Sequence, residues 1–362
     1  MGDIIAAIDG DGHIIENTNR IVELLDEPFR TFRTLDRSKN FYASLVPVDG
    51  TDRHFNERFS RAGFAGNAAE WLAALDLGPL ERTVLYPTIG LFAGYIKEPD
   101  YQRAFCRAYN SWLAEVCREG RDRVFGVGLL PTHEPDVAEV GRCKEIGLIG
   151  VMFPADGTHL LGHSRFDAIY RRASELDMPV GVHASGSWMA PGAEIFPKFI
   201  QAHSVAHPYG ILRQFTSMMF EGVFEKFPTV RFAFLEAGVT WVPWFLDRLD
   251  EEYEDRGKRD APLLRKRPSQ YVHQGGNIFF AAESEERLVG ATMNLIGNDI
   301  VMYASDYPHW DHEYPHSLHK LRERGDVSRE QHYGLMRGAA ERFYGFTSSR
   351  LHTNARTDHA LA

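Results

Sequence analysis

The sequence is poor in cysteine. Only Cys106, Cys117 and Cys143 occur in 362 residues, and no two of them form a CxxC pair. That excludes a disulfide framework and a ribbon-type zinc site, and the three read as reduced thiols of a cytoplasmic protein. Long apolar runs are also missing: none approaches the roughly 18 to 20 residues that span a bilayer. The residues after Met1 show no basic start followed by an apolar core, so no secretory leader and no membrane partner are expected. Basic excess is lacking as well. Forty Lys and Arg stand against fifty Asp and Glu, a formal net charge of −10. An extended polyanion such as nucleic acid is therefore excluded as a partner, whereas a small anionic substrate is not, because one arginine or one cation can reverse the field inside a pocket. There is no GxGxxG after the first apolar run, no low-complexity segment and no internal repeat.

What is present is an alternation. Short β-rich runs at residues 4–9, 83–88, 124–131, 150–155, 179–185, 231–238, 278–284 and 300–306 are separated by amphipathic stretches. Most of the runs are continuously apolar, as parallel strands covered on both faces should be. Helical spacing appears at 101–118, 134–146, 166–176, 212–227 and 241–253, with Gly or Pro at several ends. Eight strands alternating with helices predict an α/β fold, a (β/α)8 TIM barrel, ahead of an open doubly wound sheet. One domain is expected over 1–350, with a lid-like insertion at 26–78 after strand one and a loose tail at 351–362. Residues 254–275 read as an exposed charged excursion.

Barrel enzymes gather their chemistry where strands end. Strand one runs into Asp9-Gly10-Asp11-Gly12-His13, strand five ends at His183-Ala184-Ser185, strand six at Glu236-Ala237-Gly238, and strand eight at Asp306-Tyr307-Pro308-His309. Asp11 and His13, two apart, share a strand face. Imidazole and carboxylate donors from such distant positions suit zinc, iron or manganese and leave room for substrate or water. Taken singly, Asp9 and Asp11 beside glycines also suit a turn, and Asp306 before Tyr-Pro also suits a helix cap.

Over nearly its whole length the chain resembles the amidohydrolase-2 group of the amidohydrolase superfamily, related to aminocarboxymuconate-semialdehyde decarboxylase. The resemblance runs through IDGDGHIIE, GVHAS, GVFEKFPTVRFAFLEAGVTWVPWFLDRLDE and YASDYPHWD. It implies that Asp11, His13, His183 and Asp306 are metal ligands, with Asp11 standing where many relatives carry the first His of an HxH pair. Decarboxylase relatives place a His where this chain has Glu236, so an acid/base role there would pass to a carboxylate, or Glu236 would itself bind metal. Some relatives are di-metal non-haem oxygenases, 2-aminoisobutyrate hydroxylase among them. His203 and His207, four apart and on one face if 201–208 is helical, together with Glu236 are a possible second metal site; otherwise they line the pocket or pack beneath the lid.

The leading expectation is a metal-dependent enzyme for hydrolysis or non-oxidative decarboxylation of a small carboxylate-bearing or cyclic molecule. Asp306, Glu236 and His183 are its catalytic residues, and zinc is expected before iron or manganese, as one ion or two. The alternatives are a dinuclear iron or mixed-metal oxygenase and a non-catalytic barrel subunit. A homodimer or a hetero-oligomer with a related subunit is expected from the family. His309, with Trp310 and Asp311, is expected to shape the pocket or orient Asp306. Trp188 and Met189 would form an apolar wall or belong to the core. Arg213 would pair with a substrate carboxylate or be a solvated charge. His159 and His163 suit a loop, and Trp241, Trp244 and Phe245 suit helix packing against the barrel.

Overall fold

The computed structural model describes residues 5–31, 65–185, 190–273, 276–309 and 311–346. Eight parallel strands follow one another in sequence order: β1 Ala7–Ile14, β2 Leu80–Pro87, β3 Val124–Leu129, β4 Gly150–Pro154, β5 Val180–His183, β6 Phe232–Leu235, β7 Ile278–Ala282 and β8 Val301–Tyr303. Past the end of β8 the chain meets β1 again. The Asp306 N–H donates to Asp11 O at 3.2 Å, and the His13 N–H donates to Tyr307 O at 2.8 Å. The expected (β/α)8 barrel is the observed fold, and its seam runs through residues expected to carry the chemistry.

The largest departure from expectation is β1, which starts later than residue 4 and continues through the Gly-rich segment instead of ending at residue 9. Gly10 and Gly12 are not turn glycines. A Cβ on Gly10 would lie 2.7 Å from Met302 Sδ, and one on Gly12 would lie 2.4 Å from Thr83 Oγ1 and 2.5 Å from Asp9 Oδ2. They are glycines because the strand is crowded on both faces. Between the pairs Asp9↔Thr83 and Gly12↔Leu85, β1 advances one residue more than β2, a bulge that re-aims the side chains after it.

Two struts hold the seam. The buried Asp9 carboxylate accepts from Ser305 N–H at 2.9 Å, from the Ser305 hydroxyl at 2.8 Å and from the Thr83 hydroxyl at 2.8 Å. From the other side, the helix Ala339–Tyr344 sends the Tyr344 hydroxyl to Gly10 O at 2.6 Å, with the Tyr86 hydroxyl 2.8 Å from it. Beneath helix Phe199–Phe220, Phe215 packs edge-on against Phe234 at 4.9 Å and against Trp241 at 5.7 Å. Fully burying such a ring contributes roughly 1.5–3 kcal/mol.

Elsewhere the helices correct the reading in detail. Residues 254–260 are not an excursion but the end of helix Val242–Asp260, held on its solvent side by Arg256 and Asp260 four apart at 2.8 Å, and Pro268–His273 is a further helix. Gly222, at φ +69°, separates Phe199–Phe220 from the short helix Val223–Lys226, so the expected helix 212–227 is two. Trp244 is exposed and does not pack on the barrel, whereas Trp241 and Phe245 do. Of the segment 26–78, Ala68–Leu77 is a helix capped by Asn67, with Trp71 fully buried beside β1. Residues 32–64 and the expected tail 351–362 lie outside the described residues. No described helix is long and apolar enough to cross a membrane.

Candidate metal centre

Each candidate side chain reaches the barrel mouth by a definable local route. On β1, Asp11 lies within the bulge and His13 just beyond it, and His183 is the last residue of β5. Glu236 follows β6 directly and Asp306 lies three residues past the end of β8, and both take the left-handed backbone region, at φ +59° and +52°. A non-glycine residue there costs roughly 1–2 kcal/mol, a strain typical of functional positions. All of these side chains are buried or nearly so.

The two histidine tautomers are set by backbone carbonyls, which can only accept. His13 Nδ1–H donates to Pro87 O at 2.9 Å, and His183 Nδ1–H donates to Ala184 O at 2.7 Å. The Nε2 atoms therefore face the centre. His183 Nε2 is 3.2 Å from Asp11 Oδ1, while His13 Nε2 is 3.8 Å from Asp11 Oδ1 and 3.5 Å from Asp306 Oδ1. The His13 lone pair thus confronts a carboxylate oxygen, whereas His183 Nε2 is hydrogen-bonded to Asp11 Oδ1. His13 Nε2, Glu236 Oε2 and Asp306 Oδ1 are fully buried without a hydrogen-bond partner, even though His183 Nδ1 is 3.0 Å from Glu236 Oε2 and His309 Nδ1 is 2.6 Å from Asp306 Oδ1. Buried atoms this close but misaligned for hydrogen bonding suit a shared cation. Among the described residues two groups of donors lie close enough to hold one: Asp11, His13 and His183, and His13, Glu236, Asp306 and His309.

The electrostatics agree with that demand for positive charge. Burial, helped by His309 and His183, drives the His13 pKa well below its ordinary value, leaving a neutral ring. Burial also lowers His183, but the Asp11 and Glu236 carboxylates outweigh it and push the ring up to about 10. Burial raises Asp306 to about 7 against the opposing pull of His309. For Glu236 burial acts upward, yet His183 and His207 hold the carboxyl well below its usual range.

The structure places the remaining candidates unequally. His309, expected in a supporting role, stacks on His13 at 3.8 Å and joins the second donor group, with Nε2 3.3 Å from the Thr88 hydroxyl. His203 and His207 do lie on one helix, rings 4.4 Å apart, but neither belongs to a donor group, and His207 reaches Glu236 only through the electrostatic field. Arg213 is not a solvated charge: one arm of its guanidinium is paired with buried Asp156, which also accepts from the Tyr95 hydroxyl at 2.7 Å, while its Nε is buried without a hydrogen-bond partner. His163 Nδ1 accepts from Arg165 N–H in a loop turn, as expected, and His159 lies near His133 on the same side. Trp188, Met189 and Trp310 lie outside the described residues.

One acid was missed. Glu283, directly after β7, is pushed up to about 9 by burial and by repulsion from Asp306 and Glu236. The strand-end rule applied to β7 would have found it.

A family model described as amidohydrolase matches residues 64–346. Among curated proteins, 2-amino-3-carboxymuconate-6-semialdehyde decarboxylase of Dictyostelium discoideum is 25% identical over 270 residues, 73% of this chain and 72% of its own length. Among solved structures, an amidohydrolase from Mycobacterium avium subsp. paratuberculosis matches at a TM-score of 0.76 and 21% identity, over 94% of this chain and 99% of that one. A 5-carboxyvanillate decarboxylase from Novosphingobium aromaticivorans, with bound manganese, matches at 0.70 and 19%, over 94% and 97%. At these identities the structural likeness is one of fold.

Proposed function

The chain belongs to the amidohydrolase family, and from that premise we propose that it is a divalent-metal-dependent lyase or hydrolase. Its reaction is non-oxidative decarboxylation or hydrolysis of a small carboxylate-bearing or cyclic molecule. The observation that carries the reading is the convergence of Asp11, His13 and His183 at the barrel mouth, where the buried His13 Nε2, its Nδ1–H committed to Pro87 O, faces Asp306 Oδ1 without a hydrogen-bond partner. The decarboxylase relative supports the first reaction class, and the manganese in the similar fold supports manganese beside zinc as the cation.

Asp11, His13 and His183 would hold the cation, with Asp306 at its edge. When bound, the cation supplies Lewis acidity, polarising a substrate oxygen or acidifying a water. Asp306, raised to about 7 and 2.6 Å from His309 Nδ1, is placed to carry a proton near neutral pH, and Glu236 is the second acid or base. Asp9, through Ser305, fixes the backbone from which Asp306 projects. We place residues 1–350 in one domain and take a homodimer, or a hetero-oligomer with a related subunit, as its assembly; light scattering on the purified chain decides between them.

The test is to strip the enzyme with chelator, restore manganese or zinc, and follow CO2 release or hydrolysis over a panel of hydroxy- and amino-substituted aromatic and unsaturated acids. Activity that returns with metal and is absent in His183→Ala is expected. Full activity in the stripped enzyme overturns the reading.

A further inference from the structure

A cavity of about 450 Å³, a size typical of small-molecule sites, lies at the end of the barrel away from the metal centre. It opens at the starts of β6 and β7, where Phe232 and Ile278 line it. Glu236 stands four residues beyond Phe232, roughly 13 Å at about 3.3 Å per residue, and the cavity shares no residue with the donor groups. We propose that this cavity binds a small apolar monocarboxylate, its aryl or alkyl body on the aromatic floor and its carboxylate on Arg265 and Lys266.

The floor supplies the apolar half. Phe224 and Phe232 meet edge to face at 5.4 Å, and Phe227, Val230 and Ile278 continue the surface. An apolar body laid over them is withdrawn from water.

The rim supplies the charge. Arg265 and Lys266 stand on a segment anchored from two sides: Leu264 O accepts from the Tyr253 hydroxyl at 3.2 Å, and Arg265 N–H donates to the Tyr271 hydroxyl at 3.1 Å. Nearby cations are already paired, Lys226 with Asp167 at 2.8 Å and Arg267 with Glu254 at 2.6 Å. The Arg265 guanidinium, by contrast, has no ion pair among the described residues. Lys266 Nζ lies over the Tyr271 ring at 4.5 Å, a contact that leaves its N–H groups free to donate. The opposing charge is Glu225, whose Oε2 accepts from the Tyr271 hydroxyl at 2.5 Å. Burial and that carboxylate push Tyr271 up to about 12, so the hydroxyl keeps its proton and stays on Glu225. Two cations against one carboxylate leave one positive charge over, which selects a monoanion. A guanidinium and an ammonium on adjacent residues suit the two oxygens of a carboxylate.

The test is calorimetric titration of the full chain with 4-phenylbutyrate, benzoate and octanoate. Chelator is present throughout, so that no metal ion takes the carboxylate, and 4-phenylbutanol serves as the uncharged counterpart. One molecule per chain is expected for at least one acid. Binding should be about tenfold weaker for 4-phenylbutanol, and about tenfold weaker for the acid in the double variant Arg265→Gln/Lys266→Gln at unchanged melting temperature. Glu225→Gln removes the opposing charge and keeps an acceptor for Tyr271. It should bind the acid about threefold more tightly, a gain that misfolding cannot imitate. Unchanged affinity in the double variant overturns the site, as does failure of all three acids to bind at millimolar concentration. Either result leaves the proposed function standing, because the metal centre is tested by chelation and manganese alone.

Discussion

Glu16 offers a perturbation whose sign and size both follow from the structure. Its Oε1 accepts from the N–H groups of Thr88, Ile89 and Gly90 at 3.0, 2.8 and 2.8 Å, fixing the turn after β2 from which Thr88 meets His309. Burial nevertheless lifts the Glu16 carboxyl from 4.5 to about 7, the backbone donors offsetting only part of the penalty. The folded protein thus holds this proton to higher pH than the unfolded chain does. The stability it contributes is complete below pH 4.5 and disappears as pH rises to about 7, at about 1.4 kcal/mol per pKa unit, or roughly 3 kcal/mol in all. Glu16→Gln keeps the amide oxygen as acceptor and cannot ionise. Wild type and variant should therefore differ by less than about 1 kcal/mol at pH 5, and the variant should be the more stable at pH 8 by roughly 3 kcal/mol, a urea midpoint higher by about 1 M at a slope of about 3 kcal/mol per M. Glu16→Ala, which abandons three buried donors, should be destabilised by roughly 3 kcal/mol or more even at pH 5. Urea titrations at pH 5, 6, 7 and 8 decide the matter. Midpoints of wild type and Glu16→Gln that run parallel across that range would refute the reasoning.

Three further outcomes follow from the geometry. Gly12→Ala drives a Cβ into Thr83 Oγ1 and Asp9 Oδ2 and should cost about 1–3 kcal/mol in thermal unfolding; an unchanged melting temperature would mean that β1 is not crowded there. Arg213→Met leaves Asp156 buried without its cation and should cost about 3–5 kcal/mol, most of it recovered by adding Asp156→Asn. If Arg213→Met raised only KM, the pair would be a substrate contact and not a strut. Manganese at a hundred times its dissociation constant should stabilise the chelator-stripped protein by about 2.7 kcal/mol, and His183→Ala should abolish that gain in a melting assay.

The barrel was legible because apolar runs in parallel strands are continuous and recur with helical stretches between them. Asp11, His13, His183 and Asp306 were legible because strand ends are where a barrel exposes side chains. Other features needed three dimensions. Gly10 and Gly12 imitate a turn in one dimension and declare themselves strand residues only when Met302 and Thr83 are seen against them. His309 reaches the centre because the left-handed backbone at Asp306 turns the chain back over His13, and no residue type announces that turn. Arg213 gave no sign of its partner, since Asp156 lies 57 positions away. The charged run at 254–260 looked like a loop because its ion pairs form only once the helix exists.

The clasp of Tyr344 on Gly10 bears on how this protein is made. Asp9 and Ser305, joined across the seam, stand 296 positions apart, and the tyrosine that braces them emerges later still. A nascent chain on the ribosome carries Asp11, His13 and His183 long before Asp306 and the clasp exist. On the proposed function the centre is complete only once translation has passed Tyr344, so a product truncated before it should bind Mn2+ more weakly than the full chain.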